Sequence, residues 1–365
     1  MPTSNDEVLV VEAPDEVTPR WMTRALGTGG TDVEIAALRF EPIGTGQTGA
    51  SYRFHLEPAP GQTAGPAPAT VVLKMHAGDR VARARICRAY RQETGFYQTF
   101  ASSTRMQIPR CWSAAISADS LSYTLVLEDA APARPGRQVD GCTADQATLA
   151  VRNLAGLHAP FWGDPDLQGR AAWLRRADDE TLRFQQSLFL GAADGFVGRY
   201  AAELSAADSA TLLRCAEEFF RWGQGIRHHS SLIHGDYRLD NLLFDEHGHV
   251  VTVDWQTLEE GFPGRDLAYF LSTALPPADR RRHEVALVAA YHQRLVELGV
   301  DGYSADDCFT DYRLGMLHGP MTTMIGCMYA AGPRSADSDE MFLSMAANSA
   351  AAIRDLATFD LVPPA

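Results

Sequence analysis

A glycine-rich loop with a strand on each side limits what this chain can become. Residues Gly44-Thr45-Gly46-Gln47-Thr48-Gly49 have the spacing G-x-G-x-x-G. In a doubly wound dinucleotide-binding fold a helix opens directly after those glycines, so that its N-terminus meets the pyrophosphate. Here Tyr52, Phe54 and Leu56 follow instead, alternating with Arg53, His55 and Glu57, the period of two of a strand with one buried face. Val33 to Ile43, ahead of the loop, reads as strand as well. Strand, glycine loop and strand make a hairpin, which disfavours a nucleotide-binding oxidoreductase.

Thr18 to Leu26 ahead of this hairpin reads as a short helix. Beyond it, Glu57 to Thr70 holds Pro58, Pro60, Pro66 and Pro68 with Gly61 and Gly65 and reads as a loop, because proline and glycine disfavour ladders and helices alike. Val71 to Met75 is a short apolar strand with Lys74 inside it. Arg80 to Phe100 is helical and contains Glu93, and Leu121 to Leu127 is another strand, ending at Glu128-Asp129. Pro132 and Pro135 in the loop Ala130 to Gly141 mark a domain junction. Residues 1–130 are therefore expected to form an N-terminal lobe and 131–365 a C-terminal one. A chain of 365 residues exceeds what one hydrophobic core usually organises, so two lobes with room for a cleft fit the length. The second half reads as helices over Asp145 to His158, Asp179 to Leu190, Ala206 to His228, Pro277 to Leu298 and Asp307 to Ala331. Two strand-like pieces, Ile233 to Phe244 and Val250 to Trp255, interrupt them. The expected class is α+β, a small mixed lobe with an antiparallel sheet followed by a large helical lobe.

Composition narrows the partners. The net charge of −14 has the wrong sign for a protein that neutralises nucleic-acid phosphates. Cys87, Cys111, Cys142, Cys215, Cys308 and Cys327 form no C-x-x-C pair, so buried, reduced thiols are expected and no zinc knuckle. His228-His229 and His247-Gly248-His249 lack the i, i+4 spacing of a helical zinc pair and read as loop residues. Met1 to Asp15 is acidic and fails as a signal peptide, and no apolar run approaches the roughly 18 residues that cross a bilayer. A cytoplasmic enzyme without a membrane partner is the expectation.

Chemistry concentrates in Leu232-Ile233-His234-Gly235-Asp236-Tyr237-Arg238-Leu239-Asp240-Asn241-Leu242-Leu243-Phe244, followed by Val251-Thr252-Val253-Asp254-Trp255-Gln256. Apolar ends anchor a polar loop. Asp236, Asn241 and Asp254 offer two carboxylates and an amide oxygen, the hard donors that Mg²⁺ and a hydroxyl nucleophile require. The pattern H-G-D-x-x-x-x-N ahead of an apolar-flanked Asp resembles the catalytic core of the aminoglycoside phosphotransferase and choline kinase superfamily, with its bilobal protein-kinase-like fold. Leu125 to Asp129, Leu154 to Trp162, Val253 to Gln256 and Asp266 to Leu271 are similar to its ecdysteroid-kinase-like branch. The resemblance spans roughly Phe40 to Leu271.

The resemblance implies ATP and Mg²⁺, and a role for each matching residue. Asp236 would position the acceptor hydroxyl and take its proton, while Asn241 and Asp254 would hold the metal. Lys74 would meet the α- and β-phosphates, with Glu93 as its ion-pair partner. Gly44, Gly46 and Gly49 would fold over the phosphates, and Glu128, Asp129 and Ala130 would lie at the adenine-binding hinge. Arg238 is expected on the γ-phosphate, and Asp266 as a brace of the catalytic loop. The expected reaction moves the γ-phosphate of ATP to a hydroxyl of a small molecule. Met316, Met321, Met324, Met328, Met341 and Met345 favour an apolar, steroid-like or hydroxyacyl alcohol, although ordinary core is the plainer reading of those residues. Glu259, Glu260, Asp306, Asp307 and Asp311 read as a solvated face that would otherwise suit an aminoglycoside. A nucleotide-binding pseudokinase is the third alternative, opposed by intact Lys74, Asp236, Asn241 and Asp254.

Overall fold

Alternation along one strand sorts the first unit into two faces. The computed structural model describes residues 9–44, 49–61, 67–329 and 335–364, so Gly44 and Gly49 are described and Gly46 lies outside the described residues. Helix α1 (Pro19–Thr28), strands β1 (Ile35–Ile43), β2 (Gly49–Pro58) and β3 (Thr70–His76), helix α2 (Arg80–Thr99), and strands β4 (Cys111–Ile116) and β5 (Tyr123–Glu128) follow in order. The sheet runs β1-β2-β3-β5-β4 with every pair antiparallel. Val71, Leu73 and Met75 of β3 pack with Met22, Ala25 and Leu26 of α1. Val72 faces the other way, into a cluster with Tyr90 of α2 and Leu125 of β5. Period-two geometry therefore sends Lys74 to the α2 side as well. Strand β4 went unread in the sequence because the apolar residues of Cys111–Ile116, interrupted only by Ser113, give no alternation.

The chain divides into two compact units, one of Met1–Ser102, Ile108–Ala131 and Asp254–Thr257, the other of Ser103–Gln107, Pro132–Val253 and Leu258–Ala365. Helices dominate the second: α3 (Ala144–His158), α4 (Leu167–Arg170), α5 (Asp179–Arg199), α6 (Ala206–Gly225), α7 (Gly264–Ala274), α8 (Pro277–Glu297), α9 (Ala305–Leu314), α10 (His318–Tyr329) and α11 (Ala336–Asp355). Short strands β6 (Arg134–Pro135), β7 (Arg175–Arg176), β8 (Ser231–Ile233), β9 (Leu242–Phe244), β10 (Val250–Thr252) and β11 (Glu259–Gly261) form two small sheets, β10-β9-β6 and β7-β11-β8. The expected α+β architecture, a five-stranded antiparallel sheet and a mainly helical remainder, is what forms.

Three expectations need correcting. The single helix read over Asp307 to Ala331 is broken by a 3-10 turn at Gly315–Leu317. There the Leu314 carbonyl accepts the Trp222 indole N–H at 2.6 Å, and Gly315 meets α7 so closely that a Cβ would stand 2.1 Å from the Gly264 carbonyl oxygen. Glu259, Glu260 and Asp311 are buried rather than on a solvated face: Arg265 and Arg175 pair with Glu259, Arg176 with Glu260, and two histidines with Asp311. The cysteines are free, but Cys87, Cys111 and Cys142 are only half-buried. Among the described residues no helix is long and apolar enough to cross a membrane.

The crossing at Gly315 yields a stability prediction. Gly315→Ala forces backbone apart and should cost about 1–3 kcal/mol or more, read as a lower midpoint in urea. Gly27→Ala, where a Cβ would meet nothing within 4 Å, should leave the midpoint unchanged or slightly raised.

Candidate active site

In the first unit the site grows from Lys74. On α2, Tyr90, Glu93 and Phe96 share one buried stripe at i, i+3 spacing, so the carboxylate is carried inward by the aromatic residues on either side of it. The Lys74 Nζ lies 2.7 Å from Glu93 Oε1 and 3.3 Å from Asp254 Oδ1. Glu93 Oε2 accepts from Tyr123 Oη at 3.4 Å and from Gln256 Nε2 at 3.3 Å. Trp255, next to Asp254, stacks on Phe96 with ring centroids 3.5 Å apart and planes 9° from parallel. That stack anchors the segment carrying Asp254 to α2. Asp254 itself is left-handed, at φ 70°, a conformation that costs a residue with a Cβ roughly 1–3 kcal/mol and clusters at functional sites.

Electrostatics follow from this three-way contact. Burial works against the Lys74 charge, but the carboxylates of Asp254 and Glu93 raise its pKa above the ordinary lysine value. Burial also pushes the Glu93 carboxyl up, opposed by Lys74 and reinforced by Asp254. The cluster is one ammonium between two carboxylates, with Lys74 held in its charged form. Gly49 completes it from β2, where a Cβ would come within 2.7 Å of Tyr123 Oη and 2.9 Å of the Met75 carbonyl, so only glycine lets the strand pass. Gly44 is left-handed, at φ 72°, which glycine adopts without penalty.

The hinge candidates sit at the end of β5. Glu128 is exposed and exchanges hydrogen bonds with Arg110, its N–H donating to the Arg110 carbonyl at 2.8 Å. Asp129 takes a two-pronged contact from Arg53, at 2.6 and 3.1 Å, and the Ala131 N–H at 3.2 Å. Its carboxylate is thus committed inside the first unit. Ala130, the third hinge candidate, follows Asp129 and is half-buried.

In the second unit a buried carboxylate shapes the polar loop between β8 and β9. Asp266, on α7, accepts the His234 N–H at 2.6 Å through Oδ2 and the Gly235 N–H at 2.9 Å through Oδ1. His158 Nε2 lies 3.2 Å from the same carboxylate. Burial opposes its charge, yet the histidine bond and neighbouring histidines lower Asp266 to about 2. Gly235 turns the chain at φ 79°. Tyr237 fixes the underside by donating to the Ala150 carbonyl of α3 at 2.8 Å. His234 Nε2 donates to the Val253 carbonyl at 3.1 Å and its Nδ1 accepts the Asp236 N–H at 3.3 Å.

This loop presents Asp236 with its side chain held from three directions. Asn241 Nδ2 donates to Asp236 Oδ2 at 3.0 Å and to its carbonyl at 2.8 Å. Tyr269 Oη donates to Oδ1 at 3.1 Å, and Arg238 Nε approaches the carboxylate at 3.3 Å. Burial, and then the Asp236 charge, raise the Tyr269 pKa well above the ordinary tyrosine range, so Tyr269 remains a donor. Since both partners of the Asn241 amide nitrogen only accept, its oxygen Oδ1 is the atom available to a cation. Arg238 also pairs with Asp240 and lies 3.3 Å from Met341 Sδ. It is a half-buried cation bridging two carboxylates of its own loop.

The structure brings Lys74, Glu93, Asp254 and Gly49 together in one unit and Asp236, Arg238 and Asn241 in the other. Tyr269 escaped sequence reasoning, although it stands three residues after Asp266 on one helix, the spacing that puts two side chains on one face. Gln138 was also missed. It takes the Leu239 N–H at 3.2 Å and donates to the Thr273 carbonyl at 2.7 Å, and nothing in its proline-rich setting marks it.

Two paired-carboxylate clusters on a five-stranded antiparallel sheet and a helical unit define a protein-kinase-like fold, and comparison with known proteins agrees. Residues 189–300 match the model of the ecdysteroid kinase-like family. Choline kinase from Cryptosporidium parvum Iowa II superposes with a TM-score of 0.53 at 11% identity, covering 89% of this chain and 92% of that one. A spectinomycin phosphotransferase, solved in complex with ADP and spectinomycin, gives 0.52 at 11% identity, covering 95% and 100%. The resemblance drawn from the motifs, to aminoglycoside phosphotransferases and choline kinases and to the ecdysteroid-kinase-like branch, is borne out. No curated protein matches the sequence significantly.

Removing the brace should show in stability and in its pH dependence. Asp266→Ala leaves two buried N–H groups unpaired, at about 1–3 kcal/mol each, and should lower the urea midpoint. Because Asp266 is held at about 2 in the fold against an ordinary 3.8, its contribution is complete above the ordinary value and disappears as pH falls through about 2. The wild type should therefore lose more stability between those two pH values than Asp266→Ala does.

Proposed function

We propose that the protein is an ATP- and Mg²⁺-dependent phosphotransferase that moves the γ-phosphate to a hydroxyl of a small molecule. One observation carries this reading: Lys74 Nζ contacts both Glu93 and Asp254, residues far apart in sequence, at 2.7 and 3.3 Å. An ammonium held charged between two carboxylates is poorly explained as a surface pair and well suited to phosphate oxygens. In this reading Lys74 binds the α- and β-phosphates and Glu93 orients it. Asn241 through Oδ1 and Asp254 through its carboxylate would hold the Mg²⁺. Both are hard oxygen donors, which fits that ion, and when bound it neutralises charge on the phosphates.

Asp236 takes the hydroxyl proton. Phosphoryl transfer through a loose transition state needs positioning more than a strong base, and positioning is what Asn241 and Tyr269 supply to its two oxygens. The contacts of Arg238 to Asp236 and Asp240 favour a role in orienting the base, with γ-phosphate contact requiring it to leave Asp240. Backbone groups of Glu128 to Ala130 are the hinge contacts to adenine, since the Asp129 carboxylate is bound to Arg53.

An apolar acceptor is the better-supported class. Met341, half-buried on α11, lies against Arg238 of the catalytic loop. Glu259, Glu260 and Asp311, which an aminoglycoside would need, are already paired. Met316, Met321, Met324 and Met345 are core residues, so the methionine argument rests on Met341 and Met328.

Incubation with ATP or GTP and a panel of hydroxylated compounds, read by mass, tests the proposal. The wild type should add a phosphate to an apolar alcohol, and Asp236→Asn should reduce transfer by at least about 100-fold while still binding nucleotide. Undiminished transfer by Asp236→Asn would remove the base assignment. Equal transfer to aminoglycosides would remove the acceptor preference.

A further inference from the structure

His228 and His229, which end up in the loop after α6, converge on one buried carboxylate. His228 Nε2 lies 2.8 Å from Asp311 Oδ1 and His229 Nδ1 lies 2.9 Å from Asp311 Oδ2. Their ligand atoms all fall within 4.8 Å of one another. Asp311 comes from α9, more than eighty residues on, so no sequence spacing could reveal the group.

Hydrogen-bond accounting leaves a cation to be placed there. The Gly225 carbonyl, 3.2 Å from His228 Nδ1, only accepts, so Nδ1 carries the hydrogen. Nε2 then turns a lone pair toward a carboxylate oxygen that also only accepts, unless a proton or a metal ion lies between them. His229 Nδ1 faces the other carboxylate oxygen at 2.9 Å, where it either donates as a neutral N–H or, deprotonated, offers a second nitrogen to the same cation. Two imidazoles and a carboxylate are the donor set of a borderline divalent transition metal, and too nitrogen-rich for Mg²⁺ or Ca²⁺.

The surroundings match a built metal centre in two respects. Tyr303 Oη donates to Asp311 Oδ2 at 3.0 Å and the Gly225 carbonyl holds the far nitrogen of His228, the kind of outer contacts that orient metal ligands. His229 also lines a cavity of about 520 Å³ together with Arg176, Asp178, Arg227 and Glu260, which gives solvent access for an ion and a fourth, exchangeable ligand. We propose that His228, His229 and Asp311 bind a divalent transition-metal ion of the zinc class and clasp the loop after α6 to α9. The site is independent of the Mg²⁺ of the proposed reaction and shares no residue with it.

Equilibrium dialysis of the full chain against Zn²⁺ with excess Mg²⁺, followed by metal analysis, tests the site. The wild type should retain about one zinc per chain and melt at a higher temperature with zinc than without. His229→Gln and Asp311→Asn should lose both effects. Tyr303→Phe, which keeps all three ligands, should weaken zinc affinity about 10-fold or more. Co²⁺ in place of Zn²⁺ should give visible absorption in the wild type only. If the wild type retains no zinc, or if His229→Gln retains as much, the cation between these groups is a proton and the proposal fails. Phosphate transfer, measured separately, does not enter this outcome.

Discussion

A buried carboxylate that meets two consecutive backbone N–H groups sets the form of the polar loop between β8 and β9. Asp266 lies on a helix whose every residue is buried, and its charge survives because His234, Gly235 and His158 surround it. Taking a carboxylate out of water is expensive unless its lone pairs are satisfied. Here satisfaction and loop geometry are the same contacts, so the loop cannot relax without stranding the charge. Gly235 then makes the turn, and Asp236 follows with its oxygens fixed by Asn241 and Tyr269.

The first unit solves a related problem with an ammonium. Lys74 sits in a strand whose alternation offers only two faces, and the α2 face is the one with an acid on it. The pair would be a weak element on a surface. With Glu93 buried, Lys74 largely covered and Tyr123 donating to Glu93, it becomes a fixed charge, and its second carboxylate, Asp254, comes from a segment far along the chain. A proposed phosphotransferase needs charge placed before substrate arrives, and both units have it.

Much of this was legible in the residues. The strand-loop-strand reading of Val33 to Leu56 and the strand at Lys74 rest on local periodicity, which tertiary packing reinforced. The order of Lys74, Glu93, His234-Gly235-Asp236, Asn241 and Asp254 carried the resemblance. Other parts were hidden for physical reasons. Helix α7 is buried all round, its polar Arg265, Asp266, Ser272 and Thr273 included, so those residues mark no solvent-facing side. Glu93 looked like a surface residue until its neighbours at helical spacing, Tyr90 and Phe96, were seen to be buried. Glu259, Glu260 and Asp311 looked solvated because Arg175, Arg176, His228 and His229, which pair with them, are distant in sequence.

The proposal at the centre is that the protein binds a metal–nucleotide complex, with Asp254 among the residues that hold the metal. Calorimetric titration of the full chain with ATP, in the presence and absence of Mg²⁺, addresses it most directly. Binding should strengthen with Mg²⁺ in the wild type and lose that dependence in Asp254→Ala. Absence of ATP binding, or binding indifferent to both Mg²⁺ and Asp254, would contradict it.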